Sequence, residues 1–131
     1  MATTPPALAA WHRLVRDRDA AALDALLADD AVFFSPVVHA PQRGKALATG
    51  YLAAALRVFA NPTFHYVREI VDESDAMLEF ETEIDGVLVN GVDILRWNAA
   101  GRIVEFKVML RSLKAIEVVR QRMAAMLQAG A

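Results

Sequence analysis

Asp93 and His39 are the side chains whose type and neighbours best suit them to handle a proton. Asp93 lies in residues 90–111, NGVDILRWNAAGRIVEFKVMLR, where two strand-like runs meet at Asn98-Ala99-Ala100-Gly101, a turn whose glycine accommodates a positive φ. Side chains alternate along a strand and antiparallel partners share a face. Pairing Trp97 with Arg102 therefore puts Asp93, Leu95 and Trp97 on one face with Val104, Phe106, Val108 and Leu110. A carboxyl group on such an apolar face loses hydration, which raises its pKa and suits it to general acid or base work. The competing role is structural, an aspartate bonded to a helix-end amide or to the Trp11 indole. His39, in the loop SPVVHAPQRG, is a candidate general base at a pocket mouth because an unperturbed imidazole titrates near neutrality; the alternative is a solvated loop histidine. His65 depends on the facing of its strand, and His12, beside Trp11, suits surface or packing.

A second hairpin positions Asp93 independently. Ile84-Asp85-Gly86-Val87 contains Asp-Gly, the dipeptide that tight primed turns favour. Pairing Ile84 with Val87 sets Ala76, Leu78, Phe80, Thr82 and Ile84 on the Asp93 face and Met77, Glu79, Glu81 and Glu83 on the other. Asp93 is then the only carboxylate on the inner face of three strands. The three glutamates read as a solvated face or as half of a charge ladder with Arg68, Lys107 and Arg111. Met77, Leu88, Val92, Ile94, Ile103 and Met109 add more apolar area to that outer face than a free sheet normally exposes, so a second copy packed sheet to sheet is expected.

The N-terminal half supplies helices. Leu8, Trp11, Leu14 and Val15 recur at helical spacing over residues 8–18, and Asp19 suits the cap of a second helix over residues 20–28 that ends at Asp29-Asp30. Residues 31–35 read as a short strand. Gly44 opens a third helix whose apolar side is Leu47, Tyr51, Leu52, Leu56 and Phe59, closed by Asn61-Pro62. Residues 64–71 form a strand of two possible facings. Pairing Val71 with Ala76 sets Arg68 opposite Glu79 and turns His65, Val67 and Glu69 inward, while Phe64, Tyr66 and Ile70 make the competing inner face. Ser112 caps a last helix through Leu127 with a stripe of Leu113, Ile116, Val119, Met123 and Met126.

With 131 residues, 56% of them hydrophobic and 23% charged, the chain has material for one packed core and reads as a single domain spanning residues 1–131. A net charge of −2 without a basic run gives no electrostatic footprint for nucleic acid. The absence of cysteine excludes disulfide and thiolate chemistry, and the three dispersed histidines have no metal-ligand spacing, so no cofactor is expected. No apolar run is long enough to span a membrane, and a cytoplasmic location is the default expectation.

Helices, one strand, another helix and then antiparallel hairpins make an α+β layout in which a strongly curved antiparallel sheet wraps around N-terminal helices. With LLADDAVFFSP, the helix start at Gly44, GVDILRWNAAGRIVEF, and the pairing of SPVVHAPQRG with a late strand ending VMLRSL, the chain resembles the SnoaL-like branch of the nuclear transport factor 2-like superfamily. That cone-shaped fold is shared by ketosteroid isomerases, limonene epoxide hydrolases and polyketide cyclases. The resemblance implies a pocket, pairwise association and, at Asp93, the position of a protonated aspartate that donates to an oxyanion in the ketosteroid isomerases. Ser35 stands before Pro36 where those isomerases carry an aspartate base, and Trp11 stands where they carry a tyrosine; an indole donates a hydrogen bond but takes no proton. Limonene epoxide hydrolases use an Arg-x-Asp pair on this strand, and here the segment is Gly91-Val92-Asp93. The expected function is binding of a small apolar molecule, with isomerase, cyclase, lyase or hydrolase chemistry at Asp93. A non-catalytic binding or assembly module is the alternative. Trp11, Ser35, Tyr51, Phe80, Trp97 and Phe106 are the expected pocket lining, although aromatic residues at these spacings are also core residues.

Overall fold

Helical periodicity dominates the first half of the chain and strand alternation the second, and the computed structural model, which describes residues 3–129, keeps that division. In chain order the elements are α1 (Pro6–Asp17), a 3-10 turn (Ala20–Ala22), α2 (Leu23–Leu26), β1 (Leu27–Phe34), β2 (Gln42–Arg43), α3 (Lys45–Phe59), β3 (His65–Val71), β4 (Asp75–Ile84), β5 (Val87–Trp97), β6 (Ile103–Arg111) and α4 (Leu113–Ala129). The strands form one curved, unclosed sheet ordered β2-β1-β6-β5-β4-β3. The expected α+β cone is the fold observed. One pairing, β1 with β6, is parallel and makes the sheet mixed.

Local chemistry sets the boundaries. Pro6 begins α1 with a pre-set φ, and Arg18, at φ 52°, ends it by donating its N–H to the carbonyls of Leu14 and Val15. Gly44, at φ 96°, turns the chain into α3. Asp85 and Gly86, at φ 51° and 76°, make the primed turn that the β4–β5 register requires, and Ile84 pairs with Val87 as expected. Leu78, Leu95 and Leu52 are at most 2% exposed where α3 lies on the concave face. Burial of each such side chain contributes roughly 1.5–3 kcal/mol.

Four features differ from the sequence expectations. The second helix is a single turn that yields at Leu27 to β1, so Asp29 and Asp30 project to solvent from a strand rather than ending a helix. Leu27 pairs with Ile103 and is fully buried, and this non-local pairing outweighs the helix propensity of the alanine-rich stretch. At the β5–β6 turn Trp97 pairs with Ile103 while Arg96 pairs with Glu105, leaving Val104 as an extra residue. The bulge turns Ile103 into the core, away from the expected outer face, and keeps Phe106, Val108 and Leu110 on the Asp93 side. Asn98 builds this turn by accepting the N–H groups of Ala100 and Arg102 on its side-chain oxygen. Leu47 and Leu113, expected in apolar stripes, are 50% and 83% exposed, because Ala48 and Ala115 make the close packing beside them. The β3 strand combines the two facings weighed from sequence: Val71 pairs with Ala76 and Arg68 with Glu79, after which a bulge at Val67 brings Tyr66 opposite Phe80. His65 and Val67 consequently face solvent and not the core.

Candidate functional site: a buried aspartate in an aromatic cavity

Three elements converge on one carboxyl group. Strand alternation puts Asp93 of β5 on the concave face between Leu78 of β4 and Val108 of β6, where it is 6% exposed. The β3 bulge rotates Tyr66 inward, and α1 lays Trp11 against Phe106 with ring centroids 4.7 Å apart. Trp11 Nε1 donates to the Tyr66 hydroxyl oxygen at 2.9 Å, and the Tyr66 O–H donates to Asp93 Oδ2 at 2.8 Å. The direction of the first link is forced, because an indole N–H can only donate.

Burial raises the Asp93 carboxyl to about 7, against the lowering effect of the Tyr66 hydrogen bond. Burial, followed by the neighbouring Asp93 charge, also holds the Tyr66 phenol well above its ordinary value, so Tyr66 stays protonated and remains a donor. The second carboxyl oxygen, Oδ1, has no hydrogen-bond partner among the described residues. It is nevertheless not a sealed orphan, since the only buried, unpartnered side-chain polar atom among those residues is Thr49 Oγ1. Oδ1 therefore meets the cavity. With Oδ2 committed to Tyr66, the proton of the neutral acid belongs on Oδ1, pointed at whatever enters.

The cavity is small and apolar. Its free volume is about 30 Å³ and its wall includes Trp11, Leu52, Phe64, Tyr66, Phe80 and Phe106 around Asp93. Water-sized spheres of roughly 10–15 Å³ fit there only in twos or threes. Gly91 accounts for some of the filling: a Cβ there would stand 2.5 Å from Phe80 Cζ and 2.7 Å from Leu110 Cδ2, so the missing side chain is what admits Phe80. The same contact explains why an arginine two residues before Asp93 has no place in this cone. Phe80 stacks on Phe64 at 5.2 Å, which in turn meets Tyr66 edge-on at 5.1 Å.

Of the residues singled out from sequence, Asp93, Trp11, Phe80 and Phe106 share this cavity and the others do not. His39 lies exposed in the loop after β1 and does not line it. Ser35 Oγ is occupied as a turn acceptor for the N–H groups of Val37 and Val38, at 3.0 and 3.3 Å. Tyr51 stacks on Phe33 at 5.8 Å on the other side of α3. Trp97 is buried at the far end of the sheet, its indole donating to the Glu73 carbonyl at 3.2 Å. Tyr66, the direct partner of Asp93, was the missed site residue; its signal was the inner-face alternation of Phe64 and Tyr66, which a bulge made compatible with the Arg68–Glu79 pairing. At the edge of the site His12 Nε2 lies 2.6 Å from Glu69 Oε1, and the His12 ring meets Tyr66 edge-on at 5.4 Å.

A family model for the SnoaL-like domain matches residues 8–106, from α1 through the Asp93 strand to Phe106. The chain belongs to the SnoaL-like family. This SnoaL-like chain is similar in structure to a steroid delta-isomerase from Pseudomonas aeruginosa, with 34% identity over 94% of this chain and 90% of that one and a TM-score of 0.89. It is also similar to an uncharacterised conserved bacterial protein with a cystatin-like fold from Silicibacter pomeroyi, at 29% identity, 93% and 85% coverage and a TM-score of 0.85. A protein of ketosteroid isomerase-like fold from Catenulispora acidiphila, solved with trimethylamine, shares the fold at 20% identity, 87% and 91% coverage and a TM-score of 0.64. No curated protein sequence matches the chain.

Proposed function

We propose that this SnoaL-like protein binds a small, largely apolar carbonyl compound and polarises its oxygen through a neutral Asp93. The observation that carries this reading is the free Oδ1 of a buried carboxyl group whose other oxygen is held by Tyr66. In a cavity without competing water, a hydrogen bond to developing negative charge on a carbonyl oxygen is strengthened, and the donor needs no reorganisation at the moment of reaction. The likeness to a steroid delta-isomerase supports an isomerase-type proton shift on such a compound. Asp93 is the only carboxylate lining the cavity among the described residues, and in its neutral form its part in such a shift is the hydrogen bond to the carbonyl oxygen; only its ionised form, populated as pH rises through about 7, can take up a proton. Titrating the protein with cyclohex-3-enone while following formation of the conjugated enone tests this directly. Turnover that disappears in Asp93→Asn supports the reading. Binding without turnover supports the alternative, a ligand-binding module, which the small cavity favours.

We also propose that a second copy covers the convex face of the sheet. Ile70, Met77 and Met109 are 61%, 43% and 50% exposed there. They border a groove in which Arg68 faces Glu79 at 3.4 Å, so the surface carries both charge signs and is suited to an isologous two-fold contact.

A further inference from the structure

A second void lies back to back with the Asp93 cavity. It has a free volume of about 130 Å³ beneath α4, walled by Phe33, Tyr51, the turn at Pro36–Val38 and the α4 side chains Val119, Met123 and Leu127. Ala55 and Phe59, one helical turn apart on α3, belong to the walls of both voids. They are the side chains that the two walls share, and alanine is too small to seal a passage by itself. Phe59 is the last residue of α3, so no further helical turn confines its ring, which rests edge-on against Phe80 at 5.6 Å. Its backbone is fixed independently of the ring: its carbonyl accepts the Asn61 N–H at 2.8 Å and the Thr82 hydroxyl at 3.3 Å. A rotation of this one ring would join the voids without moving the helix.

We propose that Phe59 is the partition of a two-compartment binding site, and that the ligand is an elongated molecule with a carbonyl-bearing ring beside Asp93 and an apolar tail lodged beneath α4. This proposal rests on the Asp93 reading and adds the ligand's shape. With the Phe59 ring in the position seen here the inner void has room only for water, whereas the two together are of the order of the roughly 150 Å³ apolar cavity that admits a benzene-sized guest. Of the polar side chains beneath α4, Ser35 is bonded within its turn and Arg120 pairs with Glu117 at 2.5 Å, which leaves the Tyr51 hydroxyl in a wall that is otherwise mostly apolar.

The test is calorimetric titration with cyclohexanone and its 4-n-propyl and 4-n-hexyl derivatives. In the wild-type protein affinity should rise by about fourfold per methylene over the first few, the value of a buried methylene. Met123→Trp and Ala124→Trp, which place an indole in the outer compartment, should bring the hexyl-to-parent affinity ratio close to one, and two separate plugs guard against one that fails to fold. Phe59→Ala should raise hexyl affinity, while Asp93→Asn should weaken all three ketones by a similar factor. Ketones that bind with no dependence on chain length, or a ratio that neither plug changes, would overturn the two-compartment site and leave the Asp93 reading standing. A wild-type protein that binds none of the ketones would remove both.

Discussion

Asp85 and Asp93 belong to the same β4–β5 hairpin and are driven in opposite directions by their surroundings. Asp85, in the turn, is exposed and pairs through both oxygens with the Arg122 guanidinium of α4, which holds its carboxyl below the usual range. Asp93, in mid-strand, has no cation, only a phenol, and burial raises it to about 7. The residue type is identical; hydration and partner decide the charge. A turn aspartate serves as a tether between sheet and helix, whereas an inner-face aspartate becomes a group whose protonation changes near neutral pH.

The largest effect that separates the two is on stability against pH. Asp93 is about 7 in the folded chain and about 3.9 unfolded, so the fold favours its neutral form. That stability is complete below pH ~4 and is lost as pH rises through about 7, amounting to on the order of 4 kcal/mol at the alkaline end. Asp93→Asn keeps the shape and an acceptor for Tyr66. Denaturant unfolding should find it close to wild type at pH 4 and markedly more stable at pH 8, whereas Asp85→Asn should show no comparable pH-dependent gain. Gly91→Ala examines how tightly the inner face is filled. Its Cβ meets Phe80 and Leu110, and the overpacking should cost about 1–3 kcal/mol in a chemical melt.

Tyr66→Phe sharpens the comparison from the partner's side. It removes the hydrogen bond that lowers Asp93, so the aspartate should titrate higher still, with a stability loss at acid pH of about 1 kcal/mol. On the convex face, Ile94→Asp should halve the mass seen by light scattering or give insoluble protein, and a monodisperse wild-type monomer would remove the pairing proposal. His39→Ala should have the smallest effect, leaving ketone affinity within about twofold, because the exposed His39 side chain lines neither compartment.

The hairpins were legible because their turns state their register: Asp85-Gly86 allowed one pairing of Ile84 with Val87, and that pairing put Asp93 inward. The β5–β6 turn gave the same facing for Asp93 although its register slipped, because the slip is taken up at Val104, beyond Trp97. Tyr66 was obscured for a different reason. A bulge at Val67 exchanges inner and outer faces within a single strand, and no local dipeptide announces it. The early start of β1 depends on Leu27 meeting Ile103, a contact between distant parts of the chain that periodicity does not report. His39, Ser35, Tyr51 and Trp97 were plausible by type, but only the packing of α1 and β3 decided which aromatic groups reach the carboxyl.

The central claim is that Asp93 is a neutral donor at or below neutral pH, with its proton on the oxygen that faces the cavity. Carbon-13 NMR titration of the Asp93 carboxyl, assigned by its disappearance in Asp93→Asn, measures this directly. A midpoint near 7 that moves upward in Tyr66→Phe is the predicted result. A midpoint at or below the model-compound value of about 3.9 would contradict it, leaving Asp93 as an ionised acceptor of the Tyr66 hydrogen bond.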